Sequence, residues 1–342
     1  MKRTIALLLT ILMFVSLVAC AAPEMILESS APQITQAPAL PDNSEVADNV
    51  DAATEILKVA ALKGPTGMGL AYVMQDHSDA FQVDIFDAPD AITGKFVSGE
   101  VDIAAVPINL ASVLYNKLDG DVTMLAVNTL GVLYVVENGE SIHSIKDLAG
   151  KTVYASGQGS TPEYIVNYLL EKNNLTDLVS IEYVGEHATL AQMVASGEAA
   201  IAVLPEPNVS SVLAKNENTR IALDLTKEFD NVAEATLVQG CYIVRTSSFA
   251  ENPERYDAFL QACADSANRV NTDADAAALI AAYGIVPSEA IAAKAIQNCN
   301  IVCLTGEDMK NAALSMLQVL FDANPASVGG TIPASDMFGY GA

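Results

Sequence analysis

The chain has 342 residues, of which 51% are hydrophobic, enough for one or two domains with a sizeable core. Its 42 acidic against 17 basic residues give a net charge of −25, which excludes a nucleic-acid-binding face and an electrostatic hold on an anionic membrane. The absence of Trp and an aromatic fraction of 6% argue against a stacking surface for sugars or bases.

Lys2 and Arg3 precede an apolar run over residues 5–19, the layout of a secretory signal. The run is shorter than the ~20 residues a membrane-spanning helix needs. It ends Leu17-Val18-Ala19-Cys20, which resembles the bacterial lipobox. The expectation is a signal peptide over residues 1–19, cleavage before Cys20 and a lipid on its thiol, with a plain signal cut as the alternative. Residues 20–53 are rich in Pro, Ser, Ala and acids, with no Lys or Arg before the folded part, and read as a flexible tether.

From Ile56 onward short apolar strands alternate with helices. ILKVAAL reads as a buried strand, Leu70 to Gln75 as helix, FQVDIFD as strand, ITGKFVSGE as helix, VDIAAVP as strand and LASVLYNK as helix. VTMLAVN and VLYVVEN are further strands. The series then restarts with a short helix SIKDLAG, a strand KTVYAS, a loop and helix GQGSTPEYIVNYLLEKN and a strand VSIEYVG. Alternation of this kind predicts parallel α/β structure. Residues 92–117 also echo residues 190–215: SGE aligns with SGE, VDIAAVP with AAIAVLP, and SVLYNK with SVLAK. Both copies read helix, turn, strand, Pro, helix, which predicts two similar lobes. After the strand in GCYIVRTSSF come helical segments with starts near Pro253, Pro287 and Gly306, enough to cover the first lobe but not to build a third. The expected division is lobe 1 over residues 54–137 and 241–342, and lobe 2 over residues 138–240.

In open α/β sheets, ligands sit where strands lead into helices. Four such loops stand out: GPTGMG at 64–69, VPIN at 106–109, GQGSTP at 157–162 and LPEP at 204–207. The first and third are equivalent between lobes, as are the second and fourth. Gly64, Gly67 and Gly159 let a ligand approach backbone N–H groups. Thr66, Ser160 and Thr161 place hydroxyls at helix N-termini, where orphan donors and the dipole favour anions. A helix cap alone is an equal reading for each of the three. Glu206 is a candidate acceptor for an amine, with a solvated loop acid as the competing reading. Met68 reads as core in preference to pocket wall. His77 and His143 read as exposed, and His187 more as a residue beside a helix start than as a cleft residue.

No catalytic constellation appears. A P-loop Lys, HExxH and G-x-S-x-G are absent, and no metal or cofactor is expected. Cys241, Cys263, Cys299 and Cys303 allow three pairings, and buried unpaired thiols are the preferred reading.

The signal and lipobox, the echoing lobes, DLAGKTVYASGQGSTPEYIVNYLLEKN, and LPEPNVSSVLAK followed by a strand and PERYDAFLQAC resemble the solute-binding proteins of ABC importers. The likeness is to the group serving sulfonates, taurine, nitrate and thiamine precursors. It implies a type II periplasmic-binding-protein fold, α/β, each lobe a mostly parallel sheet flanked by helices, with a ligand cleft between lobes. It implies hinge strands at residues 132–138 and 241–245. The implied ligand contacts are Gly64, Pro65, Thr66, Gly67 and Met68, then Pro107 and Asn109, then Gly159, Ser160 and Thr161, and Glu206. The implied partners are a small-molecule ligand, an ABC permease and its ATPase, and the membrane through the lipid on Cys20. The implied state is a monomer on the outer face of the cell membrane. Leu204 stands where some members carry an aromatic residue, which disfavours a pyrimidine ligand. Anion-friendly helix starts with Glu206 beside them suggest a zwitterion or a small amine-bearing metabolite. The alternatives are an enzyme on the same scaffold and a ligand-sensing lipoprotein.

Overall fold

The computed structural model describes residues 56–339, all within the compact unit Ala52–Ala342. The expected signal peptide, Cys20 and the tether lie outside the described residues. Strand β1 (Leu57–Leu62) leads through a single helical turn, α1 (Pro65–Met68), into α2 (Ala71–Asp76). Then come β2 (Phe81–Phe86), α3 (Pro89–Ser98), β3 (Ile103–Pro107), α4 (Ile108–Lys117) and β4 (Thr123–Leu130). A second series follows: β5 (Leu133–Asn138), β6 (Thr152–Ser156), α5 (Thr161–Lys172), β7 (Ser180–Val184), α6 (His187–Ser196), β8 (Ile201–Pro205), α7 (Asn208–Lys215), β9 (Thr219–Asp224) and α8 (Leu225–Asp230). The chain then returns as β10 (Val238–Val244), α9 (Thr246–Glu251), α10 (Pro253–Thr272), α11 (Ala276–Ala282), α12 (Glu289–Ala295), β11 (Ile301–Leu304) and α13 (Gly306–Ala323).

These strands form two sheets. The first has the order β11-β4-β10-β3-β1-β2, the second β7-β6-β8-β5-β9. The two match element by element. β1 lies parallel between β2 and β3, as β6 lies parallel between β7 and β8. Next to β3 runs the antiparallel β10, and next to β8 the antiparallel β5. The internal echo is therefore structural. Its two copies, α3-β3-α4 and α6-β8-α7, both stop their first helix at a glycine in the left-handed region, Gly99 and Gly197. The apolar residues of the parallel strands face helices on both sides, so they read as continuous apolar runs.

The two-lobed α/β architecture agrees with the sequence reading, but the crossings differ from it. β5 is hydrogen-bonded on both sides within the second sheet, to β8 and β9. β10 is likewise held within the first, between β3 and β4. The strands at 132–138 and 241–245 are thus sheet members rather than hinges. The chain crosses at Gly131 and Val132 and again within the segment between β9 and β10. Residues 133–137, expected in lobe 1, pair in the second sheet, and residues 238–240 pair in the first. Gly131 is closely packed there, because a Cβ at that position would fall 2.1 Å from Thr226 Oγ1.

The returning helices close over the first sheet. Phe259 of α10 stacks edge-on against Phe81 and Tyr242, with centroids 5.5 and 5.3 Å away. Ser266 accepts from the Tyr72 backbone N–H at 3.1 Å. The C-terminal segment is tied to α4, whose Ser112 donates to the Val328 carbonyl at 2.7 Å. Sequence reasoning missed β9, β11 and α8, and residues 246–249, read as the end of the strand in GCYIVRTSSF, begin helix α9. All four cysteines are free thiols, Cys241, Cys263 and Cys299 buried and Cys303 half-buried.

Candidate ligand-binding cleft

A cavity of about 270 Å³ opens at the strand ends where the two sheets face each other. β1 contributes Leu62 and Lys63 just beyond it, β3 contributes Pro107, and β8 contributes Pro205 and Glu206. Val132, at the first crossing, and Gln239, in β10 just past the second, also line it. The cavity therefore sits where any change in lobe angle is felt. Helices α1, α3, α4, α5, α6 and α7 all begin on its wall, at Pro65, Pro89, Pro107, Ser160 with Thr161, His187, and Pro207 with Asn208. The positive ends of these helices converge on one small volume.

The wall is rich in proline: Pro65, Pro89, Pro107, Pro162, Pro205 and Pro207. Proline suits a helix start because its fixed φ is preorganised and its missing N–H would be unpaired there. It also removes donors from the first turns of α1, α3 and α5. The remaining backbone donors concentrate at the starts of α4, α6 and α7, with the N–H of Thr161 on α5. Among the described wall residues, Lys63 is the one Lys or Arg, and its Nζ pairs with Asp87 at 2.7 Å in an exposed position. An anion here is met by dipoles more than by free cations.

Of the residues read from the sequence, Pro65, Thr66, Pro107, Ser160, Thr161 and Glu206 line the cavity. Gly64, Gly67, Met68, Asn109 and Gly159 are not on its wall. Gly64 takes φ +88° and faces the other lobe, where a Cβ would lie 3.4 Å from Pro207 Cδ. Gly67 is needed for packing: a Cβ would fall 2.4 Å from the Leu62 carbonyl oxygen. Met68 is fully buried in the core, with its sulfur 3.8 Å from Cys299 Sγ. Gly159 is exposed, and its N–H donates to the Glu163 carboxylate. Asn109 accepts from Thr161 Oγ1 at 3.1 Å, a bond that spans the cleft from α4 to α5. The hydroxyls of Thr66 and Ser160 donate to the Leu62 and Gly157 carbonyls, at 3.4 and 2.6 Å. None of these three hydroxyls caps its helix as a side-chain acceptor. Each keeps lone pairs, so toward a ligand it acts as an acceptor.

Glu206 is the charged group at the centre. It is 2% exposed. Its Oε2 accepts from the Ser210 N–H at 3.0 Å, and its Oε1 accepts from Ser210 Oγ and Asn298 Nδ2, both at 3.0 Å. Burial pushes its carboxyl above the usual range, and these donors only partly oppose the rise. A buried, fully anchored acid is unlike the solvated loop acid that was its competing reading.

Among the wall residues outside the sequence reading, two carry polar groups that face the ligand space. His187, read as a residue beside a helix start more than as a cleft residue, lies in the cleft, its Nδ1 sharing a 2.6 Å hydrogen bond with Ser156 Oγ. Burial lowers its pKa, against a smaller opposing effect of Glu186, so the ring favours its neutral form. Gln239 is the other. Its Oε1 is buried without a hydrogen-bond partner and thus provides an open acceptor on the wall. A lone Gln in a strand carries no sequence signal. The His at the start of the α6 echo unit could have been weighted by its first-turn position.

Two lobes joined by two crossings, with helix starts converging on the cleft between them, define a periplasmic binding protein. The chain belongs to the ABC-transporter phosphonate periplasmic substrate-binding family, whose profile matches residues 70–251. An ABC transporter from Parabacteroides distasonis is similar at 25% identity with a TM-score of 0.72, covering 83% of this chain and 98% of that one. The aliphatic sulphonate binding protein SsuA of Escherichia coli has the same fold at 17% identity and a TM-score of 0.64, covering 82% and 93%. A ligand-binding component of an ABC-type import system from Staphylococcus aureus, solved with zinc bound, does so at 13% and 0.63, covering 83% and 95%. No protein of curated function matches the chain. The protein is a substrate-binding component of an ABC transporter. Among the described residues no helix is long and apolar enough to cross a membrane, and no His, Cys, Asp and Glu cluster is suited to a metal.

Proposed function

We propose that the protein captures a short-chain organic acid with a tetrahedral oxyanion, a sulfonate or phosphonate in its singly charged form, and presents it to the permease. The observation that carries this is the convergence of the α4, α5, α6 and α7 starts on a small cavity with no unpaired Lys or Arg on its described wall. Helix dipoles and N–H groups solvate one negative charge well. A second charge in the same apolar volume would face the desolvation penalty without a cation to offset it. The proline walls suit a short aliphatic body, and the buried acceptors Glu206 and Gln239 suit a ligand that also carries an N–H or O–H donor.

The same reading treats Thr66, Ser160, Thr161 and Glu206 as contacts for the N–H or O–H donors of the ligand rather than for its oxyanion. It keeps the chain a monomeric, non-catalytic lipoprotein held to the outer face of the membrane through Cys20. Thermal-shift titration with methanesulfonate, taurine, methylphosphonate and 2-aminoethylphosphonate tests it, with choline as a cationic control. Binding stabilises by mass action, about 2.7 kcal/mol at a hundredfold excess over Kd. The expected result is a saturable shift with a sulfonate or phosphonate and none with choline. A shift with choline alone would refute the anion assignment.

A further inference from the structure

Asn298 does not line the cavity, yet it touches the cavity's carboxylate. It sits in the one-turn 3-10 helix Ile296–Asn298, between α12 and β11, on the first-lobe side. Its Nδ2 donates to Glu206 Oε1 at 3.0 Å, and its backbone carbonyl accepts from Tyr134 Oη at 2.9 Å. Glu206 directly follows β8 and Tyr134 lies on β5, so both bonds cross to the second lobe. Two residues on, Asn300 Nδ2 donates to the Gly131 carbonyl at 2.6 Å, and the Asn300 carbonyl accepts from the Leu130 N–H at 3.1 Å. Gly131 is the first crossing residue. One short segment thus grips the ligand-site carboxylate, a second-lobe strand and the crossing itself.

We infer that Asn298 is a positioning residue that latches the second lobe to the first through Glu206, so that the orientation of the site carboxylate and the closure of the lobes are one event. Glu206 has two protein donors for Oε1, Ser210 from its own lobe and Asn298 from the other. When the lobes part, the Asn298 bond is lost and the carboxylate keeps only the Ser210 bonds. A hydrogen bond to a charged or strongly polarised acceptor in a dry site is stronger than one between neutral groups. The Thr161 to Asn109 bond is a second cross-cleft contact, on α5 and α4, and does not involve Glu206.

The importance of Glu206 to the ligand rests on the proposed function, but the latch is tested without ligand. Dyes are placed by non-natural amino acids at the exposed Asp79 and Glu182, beside or on the outermost parallel strand of each sheet, leaving the free thiols untouched. Single-molecule energy transfer then reads the interlobe distance. Asn298→Asp sets a carboxylate against Glu206 and is expected to raise the open-to-closed ratio roughly tenfold to a hundredfold. Adding Glu206→Gln reverses donor and acceptor and is expected to bring the ratio back toward wild type, a rescue that general loss of structure would not give. Should Asn298→Asp fail to fold by circular dichroism, Asn298→Ala, which removes the donor without adding charge, is read in the same way and is expected to open the lobes. An unchanged distance distribution in the folded single variant, or a double variant as open as Asn298→Asp, overturns the latch. Neither outcome depends on whether any sulfonate or phosphonate binds.

Discussion

Replacing Glu206 with Gln separates the charge of the site carboxylate from its hydrogen bonds. The Gln oxygen can take the place of Oε1 and keep the Ser210 Oγ and Asn298 bonds. Its NH2 group then replaces Oε2 and confronts the Ser210 N–H, which loses its acceptor. An unpaired buried donor costs about 1–3 kcal/mol. Against this, Gln removes the cost of holding an ionised acid in a dry site. Burial raises the folded-state pKa of Glu206 above the ordinary glutamate value. Between that value and the raised folded value the native state binds more protons than the unfolded state, so the wild type loses stability from this group as pH rises through the window. The variant has no such term. The expected result is that Glu206→Gln is less stable than wild type near pH 4.5 and that the gap narrows toward pH 7.5. In a domain of this size each kcal/mol moves Tm by about 2–4 °C, so the gap near pH 4.5 is about 2–12 °C. Calorimetry at several pH values measures it. A gap that is constant or widens with rising pH would refute the assignment of a raised, buried carboxyl.

Other positions give independent checks. Gly67→Ala forces a Cβ to 2.4 Å from the Leu62 carbonyl, so β1 and α1 must separate, at about 1–3 kcal/mol in urea unfolding; an unchanged midpoint would contradict the packing role. Arg220→Ala removes the cation at 2.9 Å from buried Glu137, whose pKa is lowered: burial pushes it up, but hydrogen bonds from Ser141 and Ile142 and the charge of Arg220 outweigh that. With Arg220 itself partly exposed, the loss is about 2–3 kcal/mol at pH 7. It is present above the ordinary carboxylate range and shrinks as pH falls through the lowered folded pKa, which denaturant titration at both pH values reads. His187 is held neutral by burial, so protonation would add a cation to the cleft; affinity for methanesulfonate is expected to rise as pH falls from 7.5 to 5, and His187→Gln to flatten that rise in isothermal titration.

Much of the fold was legible because parallel strands and amphipathic helices have strong periodic signatures, and because the echo of SGE, strand, Pro and helix repeats at matched positions. β9 and β11 were not legible: TRIALD is flanked and interrupted by polar residues, IVCL has only four residues, and pairing with sheet neighbours decides such segments. The crossings were misplaced for a similar reason. VLYVVEN looks like a connecting strand in sequence, and only its two-sided pairing shows that it belongs to one sheet. In the site, the strand-end loops were legible from topology. The division of labour inside them was not. GPTGMG looks like a uniform backbone cradle, but Pro65 and Thr66 face the cavity while Gly67 and Met68 serve packing. Asn109 and Asn298 act across the cleft, through contacts far apart in sequence that no local pattern encodes.

On the proposed function, this cleft holds a single oxyanion on converging helix starts. A crystal structure of the protein with methanesulfonate or methylphosphonate tests it most directly. The acid oxygens are expected within hydrogen-bond distance of first-turn N–H groups of α4, α5, α6 or α7, with the organic group against the proline wall. An acid group bound at Lys63 in the mouth, or outside the cleft altogether, would contradict it.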